Sequence, residues 1–396
     1  MGCEMSEKKV NNVDNVVRYS PMEIPFLVMA HWNAKVPLHF IAEPSTVKSE
    51  GTVSAAKQIA EREQRVFFEW NRRSMEEKRS VLAEPEKYFV FADIRASETD
   101  IGELRLQNMK DTQGYMTFIY NIVFEVLSKS SAMGILFFDE MNLAPNMIKA
   151  QFYKVINDRA IGDIPLSDGV LCVSAGNEAE HSRGVTEDPV PLVLRRGNYF
   201  LRPLTGEEYT DYASRTGQHQ WIIGYLGFQP NDVHLIEYDL PDSVGQPCPR
   251  TWTRFSQILQ ANPRMSLREV EIIANGLVGQ GVAKKFIAFV KSAQGIDLNA
   301  ILAKPSLIRE YEKELSLLYA VFGGVVGKFR DDKKVIKPAF EIALEVARPE
   351  LGAYMLRSIK NTDEKSFMKA GGSDKMIPDD IVKKVVERYA KFLFKD

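Results

Sequence analysis

The sequence predicts an α/β core with a mostly parallel sheet, followed by an all-α region. Three observations carry this. Up to Leu204, short apolar runs alternate with segments of helical period, the order expected of strand–helix units. Several of those runs, such as Ile135-Leu-Phe-Phe138 and Val170-Leu-Cys-Val173, are apolar throughout rather than alternating, which implies a sheet covered on both faces. After Leu204 strand-like runs become rare and helical periods dominate. The expected domains are a flexible lead at 1–20, an α/β core at 21–204 and helical domains at 205–396.

Each element follows from local pattern. Residues 1–20 are polar with little periodicity. Met22 to Trp32 reads as a short helix, and Pro37 to Ala42 as a buried strand that stops at Glu43-Pro44. Lys48 to Arg65 reads as a helix, with Val53, Ala56, Ile59 and Ala60 on one face. Arg65–Trp70 and Tyr88–Ile94 read as strands on either side of a charged helical stretch, Ser74–Leu82. Phe118–Leu127 reads as an amphipathic helix and Gly134–Phe138 as a strand. Asn146–Asn157 is helical, with Ile148, Phe152, Val155 and Ile156 on one stripe. A hairpin is expected at 159–168, then strands at Val170–Ala175 and Asn198–Leu201; of the six strand-like runs, five are expected to form the core sheet. Gly323-Gly-Val-Val-Gly327 reads either as a close helix contact or as a turn or core segment, and Ile381–Phe394 as a basic amphipathic helix that packs on the domain, with a membrane or partner surface as the second reading.

Composition excludes several classes. The 396 residues carry 51 basic and 53 acidic side chains, a net charge of −2, so no bulk field draws the chain to nucleic acid or to a membrane. The longest apolar run, Leu317 to Val326, is ten residues, against the ~20 of a bilayer span. Three cysteines make no disulfide framework and suit a reducing, cytoplasmic setting. Cys172 reads as a buried thiol; the five histidines are scattered without zinc-ligand spacing, and no GxSxG elbow occurs. Met1-Gly-Cys-Glu-Met-Ser6 fits a short acylation pattern, beside the plainer reading of a mobile terminus.

Two segments carry chemistry. Ala42-Glu-Pro-Ser-Thr-Val-Lys48-Ser49 lies between a strand and a helix. In that setting a phosphate-binding loop reads GxxxxGK[ST], its amides and helix N-terminus holding phosphate oxygens. Lys48-Ser49 is correctly placed, but Ala42 and Val47 occupy the glycine positions, so this segment alone also fits a plain helix start. Ile135-Leu-Phe-Phe-Asp139-Glu140 is an apolar strand ending in two carboxylates. Such an end can place one carboxylate beside a metal ion and the other beside an attacking water, though acidic strand ends are also common without chemistry. Further along come Ser174-Ala-Gly-Asn177, Val193-Leu-Arg195-Arg196 and Pro249-Arg250-Thr-Trp252 in order.

This ordered set resembles the MoxR-type AAA+ ATPases of the clade with an insert in the second core helix. The resembling stretches are PLHFIAEPSTVKSEG (37–51), FADIRASETDIGEL (91–104), ILFFDEMNLAP (135–145), VLCVSAGN (170–177), PVPLVLRR (189–196) and PRTWTRFSQIL (249–259). The resemblance implies an AAA+ αβα core, a helical lid, a hexameric ring and ATP with Mg²⁺ at subunit interfaces. It implies remodelling of a client protein, often with a von Willebrand A-type domain partner. Glu43, Pro44, Ser45, Thr46, Val47, Lys48, Ser49 and Glu50 match the phosphate loop, with Ser49 and Asp139 toward the metal. Glu140 matches the water-activating glutamate and Asn177 the sensor 1 amide. Arg196 occupies the finger position with Arg195 beside it, and Arg250 that of sensor 2. Residues 95–117 fall where the insert is expected and 159–168 where a pre-sensor hairpin is expected, both toward pore or client.

The loop departs from the family pattern GEPGxGKS: Ala42, Ser45 and Val47 replace three glycines. If the positive-φ path is kept, strain of about 1–3 kcal/mol per residue is expected. Otherwise the loop takes another path. Retained, slow hydrolysis is the leading expectation. A non-hydrolysing scaffold is the first alternative and a nucleic-acid-associated NTPase the second.

Overall fold

The computed structural model describes residues 16–100, 102, 105–107, 118–178, 188–238, 244–372, 374 and 376–393. The chain divides into two compact units, 1–203 and 204–396.

Unit 1 is built on a sheet of seven parallel strands. In chain order the strands of the unit are β1 (Arg18–Tyr19), β2 (Leu38–Ala42), β3 (Val66–Glu69), β4 (Tyr88–Arg95), β5 (Arg105–Gln107), β6 (Phe118–Tyr120), β7 (Met133–Asp139), β8 (Ala160–Ile161), β9 (Ile164–Pro165), β10 (Gly169–Asn177) and β11 (Gly197–Leu201). The sheet runs β1-β11-β2-β10-β7-β4-β3. β5–β6 and β8–β9 are separate antiparallel pairs, so a hairpin does form at 159–168.

Period-two packing explains the uninterrupted apolar runs. Ile135, Phe137, Leu171, Val173, Phe89 and Phe91 join one core cluster, with residues from the helices Ile24–Ala34 and Lys48–Arg62. Their neighbours Leu136, Phe138, Val170, Cys172, Val90 and Ala92 join the other, with residues from Ile122–Leu127 and Asn146–Asp158. The sheet is therefore sandwiched between helical layers.

Three details differ from the sequence reading. The sheet has seven strands rather than five. One addition is β1, where a flexible lead was expected: Arg18 and Tyr19 pair with Phe200 and Leu201. The rest of that lead, residues 1–15, lies outside the described residues. Phe118–Tyr120 is strand, not helix. The Asn121 side chain accepts from the Val123 amide and starts the helix at Ile122, and aromatic and β-branched residues before such a cap favour extended backbone.

Unit 2 contains no strand among its described residues. Its helices Gln220–Phe228, Pro249–Ala261 and Leu267–Ala293 close on Tyr225, Trp252, Phe255 and Phe286, all buried. The GGVVG stretch lies inside helix Leu315–Asp331, and a Cβ on Gly323 would come within 2.4 Å of the Gln220 carbonyl oxygen, so it serves as a close helix contact. The terminal helix Asp379–Leu393 packs through Val385, Tyr389 and Leu393. No helix among the described residues is long and apolar enough to cross a membrane.

Candidate functional site

The sheet order fixes where a site can form. β2 is flanked by β10 on one side and β11 on the other, so successive connections leave it in opposite directions. In open α/β sheets, crevices for ligands open at the carboxyl ends of strands around such a switch point. Register brings Asn177 on β10 beside Ala42 on β2, and β7 runs along the other side of β10 to end at Asp139. The separated segments of the sequence thus meet at one edge.

The loop after β2 keeps the path that glycines normally supply. Ser45 has φ 66° and Val47 φ 50°, both left-handed, where L-residues other than Gly, Asn and Asp are uncommon and a β-branched one is an outlier. The Thr46 hydroxyl, buried, donates to the Glu43 carbonyl and closes the turn. Val47 then serves as N-cap of helix Lys48–Arg62 and offers no side-chain cap. Without it, the first-turn amides and the positive end of the helix dipole face the loop as an anion-binding feature. Glu50 in that first turn is exposed, and Pro44 is half-buried in the loop.

Lys48 is buried, and its ammonium donates to Asn177 Oδ1 at 3.1 Å and to the Ala42 and Glu43 carbonyls at 3.4 Å each. Ser49 Oγ donates to Asp139 Oδ2 at 3.0 Å. Asp139 Oδ1 accepts from the Glu140 amide at 2.9 Å. Glu140 itself is left-handed, φ 55°, and its Oε2 accepts from the Ser97 hydroxyl. Lys48, Ser49, Asp139, Glu140 and Asn177 therefore form one constellation. Ser49 and Asp139 present a hydroxyl and a carboxylate side by side. That sparse oxygen set fits Mg²⁺, which keeps most of its shell for water and phosphate.

Two residues that the sequence left unremarked complete it. Asn142 is buried; its Nδ2 donates to the Asn177 carbonyl and its Oδ1 accepts from the Asn177 amide at 3.1 Å. This two-point clasp fixes the Asn177 backbone. A Cβ on Gly176 would come within 2.9 Å of Asn142 Oδ1, which explains the glycine before Asn177. Ser97 is the other, donating its hydroxyl to the Glu140 carboxylate. Neither residue belongs to a spacing pattern; only the fold of β4 beside β7 brings Ser97 to Glu140.

The surrounding titratable groups are shifted by burial. His39, hydrogen-bonded to Ser174 at 2.8 Å, is held well below its ordinary value by burial, then by the positive charges of Arg196, Lys48 and Lys149. It stays neutral and structural. Asp93, at the end of β4, is pushed up to about 6 by burial and then by the Asp139 carboxylate.

The arginines separate. The Arg196 side chain is only 2% exposed, and its guanidinium pairs with Asp188 and donates to Asn198 at 2.9 Å. Asp188 in turn accepts from the Tyr153 hydroxyl at 3.0 Å. Arg196 thus faces into its own core, whereas Arg195 is exposed. Arg250 is exposed in the first turn of Pro249–Ala261 in unit 2.

No protein-family profile matches the chain, and no curated protein matches it. Among solved structures it is similar to NtrX from Brucella abortus, with a TM-score of 0.32, 14% identity, and coverage of 88% of this chain and 69% of that one. The ORC2 protein of Aeropyrum pernix in its ADP form gives a TM-score of 0.31 and 10% identity over 76% of this chain and 77% of that one. PCH-2 of C. elegans gives 0.29 and 12% over 68% and 66%. These likenesses are remote, and the functional reading rests on the site itself.

Proposed function

We propose that the protein is a nucleoside-triphosphate hydrolase of the AAA+ type, related to the MoxR proteins, which uses ATP to act on a partner protein. The observation that carries this is the convergence of Lys48, Ser49, Asp139, Glu140 and Asn177 at the carboxyl edge of β2, β7 and β10. A plain helix start carrying a lysine would need none of the last three.

The roles follow from the contacts. Lys48 and the amides at the start of helix Lys48–Arg62 would neutralise phosphate oxygens. Lys48 can leave its carbonyl partners for the better acceptors a phosphate offers. Ser49 and Asp139 would hold Mg²⁺, which when bound supplies charge neutralisation between the phosphates. The Glu140 carboxylate would accept the proton of the attacking water once released from Ser97. Asn177, fixed by Asn142, would donate its Nδ2 to that water or to the terminal phosphate, since its Oδ1 already accepts from Lys48. Arg195, exposed, is a better candidate than Arg196 to reach a second copy of the chain in a ring; Arg250 keeps the sensor 2 role that the resemblance gives it.

The strained loop sets the pace. Ser45 and Val47 retain the left-handed path, so the cradle exists at a cost of about 1–3 kcal/mol per residue. Hydrolysis is therefore proposed to persist, and to be slow where the Ser45 and Val47 side chains add strain as phosphate is bound. The test is phosphate release by the wild type and by Glu140→Gln. Wild-type turnover lost in the variant, with ATP still bound, supports the reading; equal release by both removes Glu140 from the mechanism. A von Willebrand A-type partner, hexameric assembly and a cytoplasmic setting belong to the same proposal.

A further inference from the structure

A cavity of about 960 Å³ lies at the carboxyl ends of β3 and β4. Trp70, Met75, Ile122 and Phe124 give it apolar walls, and Asp93 lines it. Four of the other charges around it are paired. Glu69 pairs with Arg72 at 3.0 Å, and Glu98 with Arg95 at 3.1 Å. The Lys78 ammonium lies over the Trp70 ring, 5.3 Å from its centroid.

Asp93 is the exception. Its backbone amide and carbonyl are both satisfied by Asn71, at 2.9 and 2.6 Å. Its carboxylate has no hydrogen bond or ion pair among the described residues, and Oδ1 is sealed from solvent without a partner. A half-buried carboxylate left in this state is costly, and a cation would offset that cost. The charges acting on it are Asp139 and Glu140 from the neighbouring strand end, Glu69 from β3 and Arg95 from its own strand. Three of the four are negative, and Arg95 is already engaged by Glu98.

We infer that this cavity receives a lysine side chain from a partner polypeptide, with Asp93 as counter-ion to its ammonium. The apolar walls suit the methylene stem, which packs while the charged head is paired. Lysine fits better than arginine, because one sealed carboxylate oxygen rules out the two-point fork that a guanidinium makes. An organic cation fits better than a metal ion, since the other two carboxylates of the cavity, Glu69 and Glu98, are already paired with arginines. The volume lies at the upper end for small-ligand sites, which leaves room for the residues flanking the lysine.

The test uses the full chain and three probes: acetyl-Gly-Phe-Lys-Phe-Gly-amide, the same peptide with norleucine for lysine, and putrescine as a free diamine. Calorimetry should give at least tenfold tighter binding of the lysine peptide than of either other probe. Asp93→Asn should erase the preference. Equal binding of the two peptides by the wild type overturns the inference, as does a preference that survives Asp93→Asn. Putrescine binding as tightly as the peptide overturns the polypeptide assignment. Should Asp93→Asn fail to fold, hydrogen exchange on the wild type decides: the lysine peptide should protect amides at 69–72 and 121–124, and protection elsewhere only refutes the site.

Discussion

Lys48 on the helix after β2 donates its ammonium to Asn177 Oδ1 across 3.1 Å, joining the start of that helix to the end of β10. Asn177 is itself held at both ends of its peptide by Asn142. Removing the amide with Asn177→Ala should lower phosphate release by about 100- to 1,000-fold, the range of a lost positioned donor. ATP affinity should change by much less. A variant that loses binding and turnover equally would make Asn177 a binding residue only.

Val47 gives the sharpest prediction about the loop. It sits at φ 50°, where glycine carries no steric cost. Val47→Gly should raise thermal stability by up to about 1 kcal/mol, after the entropy that glycine adds to the unfolded chain. It should also tighten ATP binding if part of the strain grows on binding. Val47→Ala should recover little, because alanine keeps the Cβ. Differential scanning calorimetry and nucleotide titration on the two variants measure both effects.

The two adjacent arginines should behave oppositely. Arg196→Ala strands Asp188 in a buried site, and breaking a buried pair costs about 3–5 kcal/mol. Arg195→Ala removes an exposed side chain and should leave the unfolding midpoint within error while lowering hydrolysis in the assembled protein. Urea unfolding and phosphate-release assays on both variants separate the roles. A destabilised Arg195→Ala, or an Arg196→Ala of native stability, would reverse the assignment.

Asp93 predicts a pH dependence. Its folded value is raised from 3.8 to about 6. Between those values the folded state holds a proton that the unfolded state has released. Stability contributed by this group is therefore greatest at low pH and falls as pH rises through that window, by about 1.4 kcal/mol per pH unit. Asp93→Asn carries no such charge. It should be more stable than the wild type at pH 7.5, and the gap should close toward pH 4. Chemical denaturation at both pH values checks the sign.

Much of this site was legible in the sequence because its parts sit at strand ends. Apolar runs such as Ile135–Phe138 announce a doubly covered strand, and a residue at the end of one strand must lie near those at the ends of its neighbours. That logic brings Lys48, Asp139 and Asn177 together. It does not reach Ser97 or Asn142, whose importance comes from strand pairing between β4 and β7 and from a turn after β7. Nor does it separate Arg195 from Arg196, because inward and outward positions on an irregular turn carry no period. β1 was missed for a related reason: two residues, Arg18 and Tyr19, are too short to show alternation. The helix expected from Phe118 failed where a local cap at Asn121 overrode the amphipathic pattern.

A loop without its glycines is proposed to grip triphosphate through Lys48. Calorimetric titration of ATP with Mg²⁺ into the wild type and Lys48→Ala tests it most directly. Saturable binding to the wild type that disappears in Lys48→Ala is the predicted result. No binding to either protein, or the same affinity in both, would contradict it.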